Sequence, residues 1–461
     1  MQWPGHLTFT LRLGEGYRHV PNHLDYVLGA TRPASSLDGG PVDGAVRKWG
    51  GGGRTLGVFP SRRGLGRAGE HGAGFNETEE QLGLSRTYRL QIADPNRTRE
   101  VRDALRELAV IESASILTLA TAPLSLQGVA REGKVEPAAL EPYRRIRIPE
   151  AHAMEPGDED VTVAVVDTGV SLGHPELQRK CLAGYNTVDL GLGQLNSSLQ
   201  LVGDSWGLGF HPQDQVGHGS MVAGIVGAQG WHVHRGVAAK SLVLPVRVLA
   251  AAQSQPNGPR VGVGSLADID AGMKVAVDLG ADVINASFGT PASAIPEGDV
   301  LPHSRVVAYA HQYGCTIVAA AGNKGDQDRY YPAALPGVIA VGSVDGSDRR
   351  SQFSSYGDHV CVCAPGEQIY GLARRGYRIS SGTSFSAPFV TGVVALIISR
   401  ARRAGLELAS EALRQILAET AKPLGGAGFH PETGYGLVDA MAALQRIDAM
   451  AAQKGTKRRS A

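Results

Sequence analysis

Residues 161–167 read VTVAVVD, an apolar run closed by a carboxylate at Asp167. Four more short runs of this kind follow: SLVLPVRVL (241–249), DVINASFG (282–289), TIVAAAGN (316–323) and VIAVGSV (338–344). Between them lie helical patterns at 218–228, 266–279 and 303–313. Strands that are apolar on both faces and joined by helices predict an α/β fold, a parallel sheet with helices on both faces. Ligands bind such sheets beyond the C-terminal ends of the strands. Asp167, Ser287 and Asn323 fall at or near those ends.

The flanks read differently. Residues 1–150 are uneven, and their centre, near 37–76, is rich in Gly and Arg (WGGGGRTLG, then SRRGLGRAGEHGAG). That composition predicts a flexible linker or loop, because it buries too little apolar surface to fold alone. Beyond it, YRLQIAD (88–94) alternates as a strand does. RTREVRDALREL (97–108) gathers Val101, Leu105 and Leu108 on one helical face, and IESASILTLA (111–120) reads as a second strand. The expectation is a smaller α+β N-terminal region, then a main domain over 151–448. SEALRQILAETA and 438–447 supply late helices, and 449–461 is expected to be a basic flexible tail.

Length and charge narrow the function. A chain of 461 residues exceeds what one core usually supports. A net charge of +1 gives no reason to expect a nucleic-acid partner. The four cysteines, Cys181, Cys315, Cys361 and Cys363, are too few for a disulfide scaffold and lack zinc spacing. The N-terminus does not read as a secretory signal, and no apolar run approaches the roughly 20 residues of a membrane span. The expectation is a cytoplasmic protein with no membrane partner. Its oligomeric state is not written in the sequence.

Peptide hydrolysis needs a nucleophile, a base, a group that orients the base, and donors for an oxyanion. Asp167 ends a buried strand, where a carboxylate is held rigidly. His218 opens a helix, GHGSMVAGIVGA, whose small residues permit close packing on the sheet. Ser384, in SSGTSFSAPFVTG, stands at a helix N-terminus, where the dipole favours negative charge. Thr383 is a candidate cap there, Pro388 fits the first turn, and Ser386 is the competing hydroxyl. Asn323 follows the strand TIVAAAG and could donate to the oxyanion. Taken singly, Asp167 reads as a cap or turn residue, Asn323 as a turn residue before Lys324-Gly325, and a lone histidine such as His218 as structural.

Together, DTGVSLGHPEL, GHGSMVAGIVG, AAAGN and SGTSFSAPFVTG, in that order, resemble the subtilisin-like serine proteases. The likeness runs from about 145 to 445 and includes GVAAKSLVLPVRVL, YPAALPGVIAVGSVD, FSSYG, CAPG and GYGLVDA. It implies a serine endopeptidase with Asp167, His218 and Ser384 as its triad, Asn323 in the oxyanion hole and an acyl-enzyme intermediate. The substrate would be a protein or peptide, extended along Ser287, Phe288 and Gly289. Ala320, Ala321 and Gly322 would line the first specificity pocket, with Tyr331 and Pro332 nearby and Lys324 at its rim. The strand-helix-strand unit at 88–120 resembles part of a family prodomain, so 1–150 is read as prodomain-like or regulatory, the mark of a zymogen.

Two departures shape the expectations further. Ser220-Met221 stand where many relatives carry Thr-His. AQGWHVHRGVA stands where many carry an Asn-rich calcium loop, so no cofactor is expected to be required and calcium is not supported. The pair His232 and His234 lacks further ligands, and no metal site is expected. With no secretion or disulfide signals, the role expected is selective intracellular processing. The alternative is a catalytically silent peptide-binding module on the same fold.

Overall fold

The run at 161–167 forms the strand Thr162–Asp167 at the heart of a sheet. In the computed structural model, Val283–Ala286 and Leu242–Arg247 flank it in parallel register. Thr316–Ala320, Ile339–Val344 and Val360–Pro365 extend the sheet on one side, and Tyr185–Asn186 closes the other. The structure describes residues 1–15, 20–22, 25, 33–64, 74–122, 126–127, 137–191, 195, 199–205, 209–256 and 258–459.

Both faces of this sheet are covered, and the period of two decides which residue faces where. Val163, Val165, Val318 and Val341 enter one core, shared with the helices His218–Gly227, Thr383–Arg403 and Ser410–Thr420. Ala164, Val166, Ile317 and Ala340 enter the other, beneath Leu266–Asp278 and Ser304–Gln312. Among the described residues, Thr383–Arg403 is the helix long and apolar enough to cross a membrane; here its most apolar stretch is 94% buried as the central helix of the first core.

The N-terminal region is a four-stranded antiparallel arrangement ordered Gly53–Gly57, Thr87–Ile92, Gln2–Leu11, Ile111–Ala122. The strand Gln2–Leu11 was not read from the sequence, although Leu7, Phe9 and Leu11 alternate into the core there. Helices Pro41–Gly50 and Thr98–Arg106 cover that face through Val42, Val46, Val101 and Leu105.

Three expectations need correction. The Gly/Arg-rich stretch is not a linker over its described part. Asp43 accepts N–H bonds from Leu37, Asp38 and Gly39, and Asp38 accepts from Gly40, Val42 and Asp43, which together fasten the start of the Pro41–Gly50 helix. Glycine composition hid these local bonds. Residues 65–73 of that stretch lie outside the described residues.

The expected tail at 449–461 is largely the end of a helix, Ala440–Arg459. Leu444, Ile447 and Met450 anchor it to the first core, and Lys454 donates to the Gly405 carbonyl. The boundary at 150 also moves. Tyr143, Ile146, Ile148 and Ala151 belong to the main domain's core, so its structure begins with the helices Pro137–Arg145 and Ile148–Met154.

One strand belongs to both regions. Ile111–Ala122 pairs on its far side with Val261–Ser265, joining the N-terminal strands and a hairpin of the main domain in one sheet.

Candidate active site

Asp167, His218 and Ser384 come together because three elements start or stop at one place. The strand Thr162–Asp167 ends there, the helix His218–Gly227 begins there, and Ser384 is the second residue of Thr383–Arg403. His218 Nδ1 donates to Asp167, 2.8 Å from Oδ1 and 3.0 Å from Oδ2. Both side chains are buried. A Cβ at Gly219 would lie 2.2 Å from the Gly169 carbonyl oxygen and 3.1 Å from the Asp167 side chain. The residue after His218 must therefore be glycine for the helix to approach the strand.

Asp214, which the sequence reading overlooked, secures the start of this helix. It accepts from the Thr168 hydroxyl, from the N–H groups of Val216, Gly217 and Ser220, and from Ser220 Oγ. The Ser220 departure thus has a structural use. Its Oγ also accepts the Ser171 N–H at 2.9 Å, tying the helix to the loop after Asp167.

Ser384 Oγ donates to the Ser287 carbonyl at 3.3 Å, and His218 Nε2 has no hydrogen-bond partner among the described residues. Ser384 lines a cleft, His218 packs beside it with its ring 5.4 Å from that of Phe385, and the bond between nucleophile and base is unmade. Thr391, Asn285, Ser287 and the Ser384 carbonyl form a buried chain of hydrogen bonds that fixes this helix to the sheet. Ser386 points elsewhere: its Oγ would lie 2.2 Å from a Cβ placed on Gly366.

Asn323 is held by its carbonyl end. Oδ1 accepts from Thr383 N at 2.8 Å and from Thr383 Oγ1 at 2.9 Å, which leaves the Nδ2 amide as a donor. Thr383 is thus not the helix cap: Gly382 takes the cap position, and the Thr383 hydroxyl orients Asn323 and reaches the Gly322 carbonyl.

The adjoining cleft has a volume of about 270 Å³. Ser287, Phe288 and Gly289 form one wall. Ala320 and Gly322 line it, with Lys324 exposed at the rim. Ala321 does not line it. Alternation turns its buried side chain away, while its N–H pairs with Val341. The neighbouring aromatic is Tyr330 rather than Tyr331, whose ring belongs to the second core. Tyr330 packs so closely on Gly322, which has φ of 117°, that a Cβ there would meet the ring at 2.5 Å. Burial, and secondly the Asp326 charge, push the Tyr330 phenol up to about 12.

The chain also visits its own cleft. Thr121 lines it and bridges Gly289 in antiparallel fashion, and Leu126–Gln127 pairs antiparallel with Ser380–Ser381. Ser384 lines the same cleft as Thr121 and Gly289. Neither contact was legible in the sequence.

His232 and His234 diverge. His234 stacks on Tyr143 at 3.9 Å, and His232 lies near Tyr377. The loop that carries them is organised by Glu176, whose buried carboxylate accepts N–H bonds from Gly230, Trp231 and His232.

The model of the subtilase family matches residues 158–436. The chain is 35% identical over 281 residues to a thermophilic serine proteinase of Bacillus sp. (strain AK1), with 60% of each chain covered. It is 33% identical over 305 residues to thermitase of Thermoactinomyces vulgaris, covering 66% of this chain and 94% of that one. It is also 33% identical over 298 residues to the major intracellular serine protease of Bacillus subtilis (strain 168), covering 62% and 85%.

Proposed function

This chain belongs to the subtilase family of serine peptidases, and from that premise we propose that it is an endopeptidase acting through Asp167, His218 and Ser384. The observation that carries the reading is that Ser384 and a donor amide from Asn323 line one cleft, with the hydrogen-bonded Asp167–His218 pair packed against Phe385, the residue after Ser384. Asp167 accepts a hydrogen bond from Nδ1–H, so Nε2 is left as the base. The reading requires Ser384 Oγ to leave the Ser287 carbonyl for Nε2. Apo catalytic bonds are often long or unmade until substrate binds.

Ser384 Oγ then attacks the peptide carbonyl as its proton passes to Nε2. Asn323 Nδ2 and the Ser384 N–H donate to the developing oxyanion, at the N-terminus of a long helix. The imidazolium returns the proton to the leaving amine, and the acyl-enzyme is hydrolysed by the reverse steps. None of these steps calls on a metal.

One observation favours a second reading, the silent peptide-binding module: Ser384 Oγ bonds to Ser287 rather than to His218. A fluorophosphonate probe separates the two. Modification at Ser384, lost in Ser384→Ala, is expected. An unmodified wild-type chain, or labelling at Ser386, would exclude the triad.

We further propose that the N-terminal region restrains the peptidase. The support is the pair of contacts at Gly289 and Ser380–Ser381, which occupy the edges a substrate would use. The role proposed is selective processing inside the cell. Its support is four free cysteines, three of them buried, and the likeness to an intracellular protease of Bacillus subtilis.

A further inference from the structure

The two places where the N-terminal region pairs with the peptidase give the cleft a direction. Thr121 lies against Gly289, and five residues later Leu126 lies opposite Ser381. A peptide laid in the same order meets the Gly289 edge, where Ser384 lines the cleft, first and the Tyr377–Ser381 edge second, so we take the bond presented to Ser384 to lie between them. The Tyr377–Ser381 edge therefore receives the leaving-group half. With Gln127 opposite Ser380, the same antiparallel register sets a peptide's next two residues opposite Ile379 and Arg378.

That edge is cationic. Arg378 Nη1 lies 3.7 Å from where a Gly217 Cβ would stand, beside the cap of the His218 helix, and its buried Nε has no hydrogen-bond partner among the described residues. Arg374 and Arg375 sit exposed at the tip of the same hairpin. Arg374 Nη1 and Arg260 Nη1 both donate to the Gln215 carbonyl, at 3.1 and 3.0 Å. Four guanidinium groups thus surround 215–217 and the hairpin. The anions whose fields reach Arg378 are Asp214 and Asp167. Both are already engaged, Asp214 by five donors and Asp167 by His218. Among the described residues, none of these four arginines forms an ion pair.

We propose that Arg378, with Arg374, Arg375 and Arg260, forms the subsite for the leaving-group half of the substrate and selects acidic side chains there. The inference rests on the endopeptidase reading above. Unpaired cations beside a low-dielectric wall attract a carboxylate more strongly than surface charges do, and added salt weakens the attraction.

The test uses the full chain and quenched fluorescent peptides. The sequence before the scissile bond is fixed, and each of the four following positions carries Glu, Gln or Lys in turn. Glu is expected to exceed Gln by about 3–10-fold in kcat/KM at one or more of these positions, with Lys lowest. The ratio should shrink between roughly 0.05 and 0.5 M salt. It should collapse toward one in Arg378→Gln and diminish in the exposed double variant Arg374→Gln/Arg375→Gln, while Arg378→Lys retains it. A purely structural arginine would lower rates on all peptides without changing the ratio. Equal use of Glu and Lys by wild type, or an unchanged ratio in the variants, overturns the subsite. Binding of the same Glu, Gln and Lys peptides to Ser384→Ala is read by fluorescence anisotropy, so the subsite stays testable if the chain proves inactive. Equal affinities there overturn it too.

Discussion

Asn323 can serve an oxyanion only while its carbonyl end is occupied, and Thr383 occupies it. Asn323→Ala is expected to lower kcat by about 10²–10³ with little change in KM, because the amide acts in the transition state. Thr383→Val keeps the backbone bond and loses only the hydroxyl. Its loss should be smaller, about 2–10-fold, the worth of one net hydrogen bond. If single-turnover rates fell equally in both variants, Thr383 would be more than an orienting residue. At the rim, Lys324 is exposed and unpaired among the described residues. An exposed charge pair is worth about 0–1 kcal/mol, so a few-fold preference for Glu or Asp before the scissile bond is expected, reversed by Lys324→Glu. A library cut best after Lys or Arg would remove Lys324 from selection.

The loop at 228–238, expected from the sequence to lack a calcium site, is held by a carboxylate. Glu176 faces three backbone N–H groups of 230–232, and its side chain is buried. The loop therefore has its electrostatic anchor within the protein. A calcium chelator is expected to leave both activity and thermal midpoint unchanged. Glu176→Gln swaps one acceptor oxygen for a donor that faces other donors. Its cost should be about 1–3 kcal/mol, read as a lower midpoint in thermal unfolding. A chelator that lowers the wild-type midpoint by many degrees would show that an ion does this work instead.

Across the whole molecule, the two regions are joined by more than one strand pair. Lys274 Nζ lies 2.6 Å from Glu79 of the N-terminal region and 2.6 Å from Asp278, with all three side chains buried, and Tyr309 donates to Asp278. Arg89 reaches Asp189 and Asp268 at 3.2 Å each. Removing one member of such a buried cluster typically costs about 3–5 kcal/mol. Intact mass should show wild type cut between about 120 and 150 while Ser384→Ala stays whole. The severed N-terminal fragment is then expected to elute with the peptidase in size exclusion, and to separate from it in Lys274→Met. Two full-length chains would argue for a permanent, uncut region, and a fragment that leaves the wild-type enzyme at once would refute the clasp.

The sequence alone determined the parallel sheet, its covering helices and part of the cleft wall, Ser287, Phe288, Gly289, Ala320, Gly322, Asn323 and Ser384. Those features are written in local patterns: short apolar runs, glycines beside His218, and Asn323 and Ser384 at element ends. It also carried the alternation of Leu7, Phe9 and Leu11, which went unread. What only the tertiary structure decided were contacts between distant segments. Thr383 meets Asn323 across 60 residues, Glu79 meets Lys274, and Thr121 meets Gly289. The helix inside the glycine-rich stretch and the long C-terminal helix were likewise settled by packing. Composition measures what a segment can bury alone, whereas stability comes from what the rest of the chain offers it to bury against.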